Sequence, residues 1–281
     1  MRRERVSEDI FIFTSELYAQ VTASAILTPE GAIVIDTLPF PAESGEMAEF
    51  IHRRSPHGVR FVVNTHFHAD HVYGNYFYPE AEIIGHRRCR EMLLEFGEQQ
   101  LETAKNETPG LEPVRLVPPE IVFANEMGLH LGNRSLRLMH LPGHTPDGIG
   151  LLVEGDKILF SGDAVMPLPY FVWGDRDSLK RTLKRIQDLA VENIVQGHGE
   201  ILLRGEIPEI LERHTQYLDC IYEQVQALIE TRGSERELSR ITIERCGESS
   251  IPLDGLVRQL HQGNLIKIYR ELKAQQLAGA D

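Results

Sequence analysis

Cysteine is scarce in this sequence. Its three residues, Cys89, Cys220 and Cys246, lie far apart with no C-x-x-C spacing. They read as small buried residues in a reducing compartment, not as a disulfide framework. Long hydrophobic runs are also missing. No stretch approaches the roughly 20 apolar residues of a membrane span. The N-terminal residues 1–9 are charged and lack the apolar segment of a signal peptide. The expectation is a cytoplasmic protein that makes no membrane contact. Positive charge is short as well: 29 Lys and Arg stand against 42 Asp and Glu, a net charge of −13. That counts against a nucleic-acid partner, whose phosphates need a basic surface. A small anionic substrate stays possible, because bound cations would dominate the local field.

The 281 residues are 42% hydrophobic, enough for one large α/β domain with a sizeable core and an appendage. Short β-branched runs predict strands at 10–13, 21–27, 32–35, 60–64 and 81–85, then at 121–123, 128–131, 135–141, 148–153, 157–161 and 193–196. Helical spacing of apolar residues predicts helices at 41–54, 87–105 and 178–189, the last with Asp177 as its N-cap. Residues 106–120 carry Pro109, Gly110, Pro113, Pro118 and Pro119 and read as a long irregular loop, a candidate lid. From Ile207 onward the pattern turns helical, with a stripe from Ile210 to Leu228 and a second from Leu253 to Leu277, broken at 247–252. The expected organisation is a strand-and-helix domain over 1–205 and a helical extension over 206–281. The extension could cover the sandwich, line a substrate entrance or form a homo-oligomer.

The chemistry concentrates in Asn64-Thr65-His66-Phe67-His68-Ala69-Asp70-His71, directly after a predicted buried strand. Imidazole and carboxylate are the usual ligands of zinc and similar divalent metals. A loop leaving a strand can fan such close side chains around neighbouring ions. A helix would separate positions two apart by roughly 200°. The same local device recurs three times. Gly143-His144, Gly162-Asp163 and Gly197-His198 each follow a strand, with a glycine that lets the backbone turn just before a ligand-type residue. Together these are seven N/O ligands, enough for two ions. His86 and His140 read as structural.

The series His66-x-His68-x-Asp70-His71, then His144, Asp163 and His198, resembles the metallo-β-lactamase superfamily of metallohydrolases over about residues 10–205. The resemblance implies an α/β fold, a four-layer αββα sandwich of two mixed sheets with the site at one edge. It implies that His66, His68 and His144 hold one metal, that Asp70, His71 and His198 hold another, and that Asp163 bridges them. Asp36, at the end of an early strand, would orient a ligand. The cofactor would be two divalent ions, zinc first, with iron or manganese as alternatives. Such a pair about 3.5–4 Å apart can hold a bridging hydroxide at neutral pH, because metal binding lowers the pKa of water from 15.7 to about 7. Asp70 would also shuttle a proton to the leaving group.

Departures from particular branches of the superfamily narrow the activity. Genuine β-lactamases carry cysteine or serine where Asp163 stands and are exported, so β-lactam hydrolysis is not expected as the main activity. The diiron flavoproteins have glutamate in place of His68, and the RNA-processing branches add basic elements that are missing here. The helical motif of the glyoxalase II branch is not recognisable in the tail. What remains is hydrolysis of a small-molecule carbonyl ester, lactone or thioester. Alternatives are a phosphodiesterase or phosphotriesterase of the same fold, a mononuclear iron oxygenase of the persulfide dioxygenase kind, and a non-catalytic, metal-stabilised binding protein. Tyr73 beside the metal loop, and Tyr170, Phe171 and Trp173 after Asp163, are candidate substrate contacts.

Overall fold

The computed structural model describes residues 1–278. Two sheets face each other. The first has seven strands in sequence order: β1 Arg2–Ser7, β2 Ile10–Thr14, β3 Thr22–Thr28, β4 Gly31–Ile35, β5 Val59–Val63, β6 Glu82–His86 and β7 Ile121–Phe123. Strands β1 to β4 are antiparallel hairpin neighbours, and β4 to β7 run parallel. The second sheet comprises β8 Glu126–Leu131, β9 Arg134–His140, β10 Ile149–Val153, β11 Ile158–Gly162, β12 Asn193–Gln196 and β13 Leu202–Leu203. Its strands are antiparallel except for the parallel pair β11 and β12. Both sheets are therefore mixed, as expected.

Alternation of side chains along the strands builds three apolar layers. Ile10, Ile12, Ile26, Ile33 and Val63 of the first sheet meet Leu136, Leu138, Leu151 and Phe160 of the second in the interior. On the outer face of the first sheet, Phe13, Val34 and Val62 pack under Met47, Phe50 and Ile51 of α1, Pro41–Arg54. On the outer face of the second, Met139, Leu159 and Ile194 pack under Leu179, Leu183 and Ile186 of the helix at Arg176–Asp188. The result is the αββα sandwich.

The expected helix over 87–105 is α3, Arg87–Met92, and α4, Glu98–Glu107, joined by a π-helical turn at Leu93–Gly97. A further short helix, Ala69–Val72, follows the metal loop. In chain order the helices are α1, α2 (Ala69–Val72), α3, α4, α5 (Arg176–Asp188), α6 (Ile207–Glu230) and α7 (Val257–Ala278). The N-cap of α5 is Asp175, not Asp177: the Asp175 carboxylate accepts from the Ser178 amide at 2.7 Å. The expected lid at 106–120 is packed down. Leu111 and Val114 are buried with Phe67, Val72 and Leu101 behind the metal loop.

The reading of the cysteines holds for Cys89 alone, which is free and buried. Cys220 on α6 and Cys246 in a short turn are joined by a disulfide, with Cα atoms 5.5 Å apart. Their 26-residue separation carries no spacing signal; the reversal of the chain after α6 brings them together. Strand β1 was also not legible, because its charged, outward-facing residues disguise an edge strand.

The tail continues the outer layer. Tyr217, Leu218 and Ile221 of α6 and Val257 and Leu265 of α7 belong to the same apolar cluster as Leu159 and Ile194 of the second sheet. Asn264 of α7 donates to the Pro169 carbonyl at 2.7 Å and accepts from the Phe171 amide at 3.2 Å. Among the described residues, no helix is long and apolar enough to cross a membrane. If tail and sandwich share one core, Ile221→Ala should cost about 2–5 kcal/mol in a single urea transition with an unchanged slope. Two separate transitions would show an independently folding tail.

Candidate metal centre

The parallel strands carry their C-terminal ends to one edge of the sandwich. Asp36 follows β4, the metal loop follows β5, Asp163 follows β11 and His198 follows β12. The two sheets are stitched at the same edge, where Val21 bridges to His198 and the Thr22 amide donates to the Gly197 carbonyl at 2.8 Å. Gly197 has to be glycine here, because a β-carbon on it would collide with Asp163 Oδ1.

The seven candidate ligands gather into two groups, His66, His68, His144 and Asp163 in one and Asp70, His71 and His198 in the other. In the first, His68 Nδ1 lies 3.0 Å from both His66 Nε2 and His144 Nε2. Asp163 Oδ2 lies 3.3 Å from His144 Nε2 and 3.8 Å from His66 Nε2. In the second, His198 Nε2 is 3.3 Å from Asp70 Oδ2 and 3.4 Å from Asp163 Oδ2. His71 Nε2 is 3.3 Å from Asp163 Oδ1 and 3.7 Å from Asp70 Oδ2. Four ligands at about 2.0–2.1 Å from a tetrahedral metal stand about 3.3 Å from one another. The observed spacings scatter about that value, and Asp163 faces both groups.

The outer ring atoms determine which nitrogens carry protons. His144 Nδ1 donates to the Tyr170 carbonyl at 2.7 Å, and His198 Nδ1 to the Ala19 carbonyl at 2.9 Å. His71 Nδ1 faces Asp36 Oδ2 at 2.8 Å. The Thr65 hydroxyl must donate to Asp36 Oδ2, 2.7 Å away, so its oxygen accepts from His66 Nδ1 at 3.1 Å. The Nε2 atoms of His66 and His144 are thereby left as lone-pair donors pointing inward. His68 Nδ1 can donate to only one of its two neighbours. His71 Nε2 and Asp163 Oδ1 are buried with no hydrogen-bond partner. Buried polar groups are normally paired, and a cation in each group would satisfy all of these atoms. The donor set therefore fits divalent metal ions.

The electrostatics agree. Burial, then the charge of His144, holds His68 down at about 3. Burial likewise lowers His66 and His144. The second group behaves oppositely. Burial opposes charging of His198, but Asp163 and Asp70 outweigh it and raise the ring to about 10. His71 is raised in the same way by Asp163, Asp70 and Asp36 against its burial. The first group is thus neutral imidazole beside a carboxylate, while in the second a metal ion would have to compete with protons.

Asp36 lies within hydrogen-bond distance of the metal loop. Its two carboxylate oxygens hold the Thr65 amide, the Thr65 hydroxyl and His71. His86 and His140 stand apart from the cluster. Their rings stack at 4.2 Å, and their Nε2 atoms meet the Ala124 and Pro146 carbonyls.

A cleft of about 340 Å³ opens over the ligands. Tyr73 and Tyr170 line it, as expected. Phe171 does not; it is fully buried in the outer apolar cluster. Trp173 is 46% exposed and packs edge-on against Phe67 at 5.6 Å, outside the cleft. Tyr18 on the β2–β3 loop and Gln100 and Ala104 on α4 went unread in the sequence. Met166 after β11 lines the cleft too, as do Leu253, Leu256 and Leu260 of the tail, one of whose expected roles is to line a substrate entrance. Tyr18 carried no motif. Its loop is fixed by Ser15 Oγ, which accepts from the amides of Leu17 and Tyr18, and by the Ala19 carbonyl bound to His198. The charge of Asp70, then burial, raises the Tyr18 phenol to about 12, and burial raises Tyr73 to about 12. Both are neutral hydrogen-bond donors at physiological pH.

Replacing Asp36 by alanine should weaken metal affinity about 10- to 100-fold in a chelator-competition titration. Unchanged affinity would show that Asp36 does not orient the ligands.

A model of the metallo-beta-lactamase superfamily matches residues 18–198. The human acyl-coenzyme A thioesterase MBLAC2 is 30% identical over 155 residues, covering 49% of this chain and 55% of that protein. A hydroxyacylglutathione hydrolase of Methylococcus capsulatus is 27% identical over 162 residues, covering 55% of this chain and 53% of that protein. The chain spans about half the length of the curated relatives it matches. A solved metallo-beta-lactamase family protein from Thermus thermophilus superposes with a TM-score of 0.71 at 17% identity, over 97% of this chain and 95% of that one. With its sandwich and its convergent His/Asp groups, the chain belongs to the metallo-beta-lactamase superfamily.

Proposed function

We propose that the chain is a dinuclear metal-dependent hydrolase acting on small-molecule carbonyl esters, lactones or thioesters. The observation that carries this reading is the meeting of two buried ligand groups at one carboxylate, Asp163. His66, His68 and His144 would hold one divalent cation, Asp70, His71 and His198 the other, and Asp163 both. Zinc suits this donor set, as iron or manganese would. Bound there, the cations would turn water into a nucleophile near neutral pH and polarise the scissile carbonyl.

The chain's own groups complete the reaction. Asp70 lines the cleft and is the least buried carboxylate of the centre, with 16% of its side chain exposed. It takes the proton of the attacking water on its carboxylate and passes it to the leaving group. Tyr18, Tyr73 and Tyr170, kept as neutral phenols, orient the substrate by donating hydrogen bonds. The relatives named for acyl-coenzyme A and hydroxyacylglutathione hydrolysis support a thioester among the carbonyl substrates. Among the described residues no lysine or arginine lines the cleft, which weighs against a phosphodiester.

The test is a hydrolase screen of the purified protein loaded with zinc, manganese or iron, against thioesters, lactones, phosphodiesters and phosphotriesters. Thioester or lactone turnover is expected. Asp163→Ala should lower it by more than about a hundredfold, since losing even an outer positioning group costs 10- to 100-fold. If Asp163→Ala left every activity unchanged, the hydrolase reading would be withdrawn in favour of a binding protein.

A further inference from the structure

We propose that the cleft is an acyl-chain site whose selectivity is set by the tail leucines Leu256 and Leu260, so that the substrate is an ester or thioester of an uncharged alkyl acid. The chemistry rests on the hydrolase reading above; the specificity rests on different residues. The charged groups of the cleft are confined to its floor, at the ligands. The rest of the lining is uncharged: Ala69, Ala104 and Met166 from the sandwich side and Leu253, Leu256 and Leu260 from the tail are apolar, and Tyr18, Tyr73, Tyr170 and Gln100 add neutral polar groups. Leu256 and Leu260 are four apart at the start of α7, where the Leu260 amide donates to the Leu256 carbonyl at 3.2 Å, and so share one face; Leu253 comes from the turn before it. Leu253 is 4% exposed and anchors the wall, while Leu256 and Leu260 are half-buried and complete it.

The backbone around this anchor is costly. Leu253, Asp254 and Gly255 take φ values of +53°, +53° and +86°. A leucine at positive φ costs on the order of 1–3 kcal/mol and persists only where its surroundings over-determine it. The strain sits at the rim of the cleft and turns Leu253 into the wall. A carbonyl placed over the metal centre must direct one substituent along these walls. A charged substituent would lose its hydration along the leucine wall with no ion-pair partner there. An alkyl chain would exchange water for leucine, alanine and methionine. The polar leaving group then lies toward the open mouth.

The experiment uses the full chain loaded with zinc and N-acetylcysteamine thioesters from acetyl to dodecanoyl. Calorimetric titration with acetate and decanoate gives a readout independent of turnover. Values of kcat/KM should rise about three- to fourfold per methylene until the cleft is full. Leu256→Gln and Leu260→Gln should each lower the decanoyl-to-acetyl ratio at least about tenfold, equivalent to roughly two methylenes. Leu260→Phe should move the plateau to shorter chains. Decanoate should bind more tightly than acetate, and the Gln variants should narrow that difference. A flat chain-length profile with acetyl hydrolysed overturns the acyl site and leaves the hydrolase intact, as does a ratio unmoved by both Gln variants. If no thioester is hydrolysed, the thioester part of the hydrolase reading fails and the titration still decides: equal binding of the two carboxylates overturns the acyl site.

Discussion

Seven nitrogen- and oxygen-bearing side chains converge at one edge of this protein with more inward lone pairs than protons to fill them. That crowding is the constraint on which the rest of the structure depends. Left to themselves the inward lone pairs of the first group would repel, because the outer nitrogens of His66 and His144 are already committed outside the cluster. Carbonyls of Ala19 and Tyr170, the carboxylate of Asp36 and the hydroxyl of Thr65 fix the rings before any ion arrives. Those holders come from loops after β2, β4, β5 and β11, so the sandwich has to close before the ligands are aimed. The stitch between Val21–Thr22 and Gly197–His198 binds the two sheets where the ligands meet.

The ligands were legible in the sequence because each repeats a local pattern: an apolar strand, a break and a metal-type side chain. Asp36 was legible for the same reason, as a carboxylate ending β4. The lining of the cleft was legible only in part, at Tyr73 and Tyr170, because a cleft is a property of tertiary packing. Leu253, Leu256 and Leu260 read as a helical stripe, yet nothing local says which neighbour the stripe faces. Tyr18 lies in a hairpin loop whose course depends on Ser15 and His198. Phe171 and Trp173 stand outside the lining of the cleft for the opposite reason. Their positions after Asp163 are right, but Asn264 draws the backbone of 169–171 toward α7, and Phe171 turns into the core. The disulfide between Cys220 and Cys246 was hidden for want of any spacing rule across a chain reversal.

The tail thus has two connections to the site. One is through the wall of the cleft. The other is a chain of hydrogen bonds, from Asn264 on α7 to the Pro169 and Phe171 backbone, and from the neighbouring Tyr170 carbonyl to His144. A side chain on the last helix therefore supports the ring of a candidate ligand. This coupling gives a physical reason for the tail to fold onto the sandwich and not extend from it.

The central claim is that the two ligand groups are two metal sites sharing Asp163. Metal content per chain, measured by plasma mass spectrometry after loading with zinc and gel filtration, tests it most directly. The account requires two ions per chain, with Asp163→Ala retaining fewer than two. A wild-type protein that saturates at a single ion would contradict it.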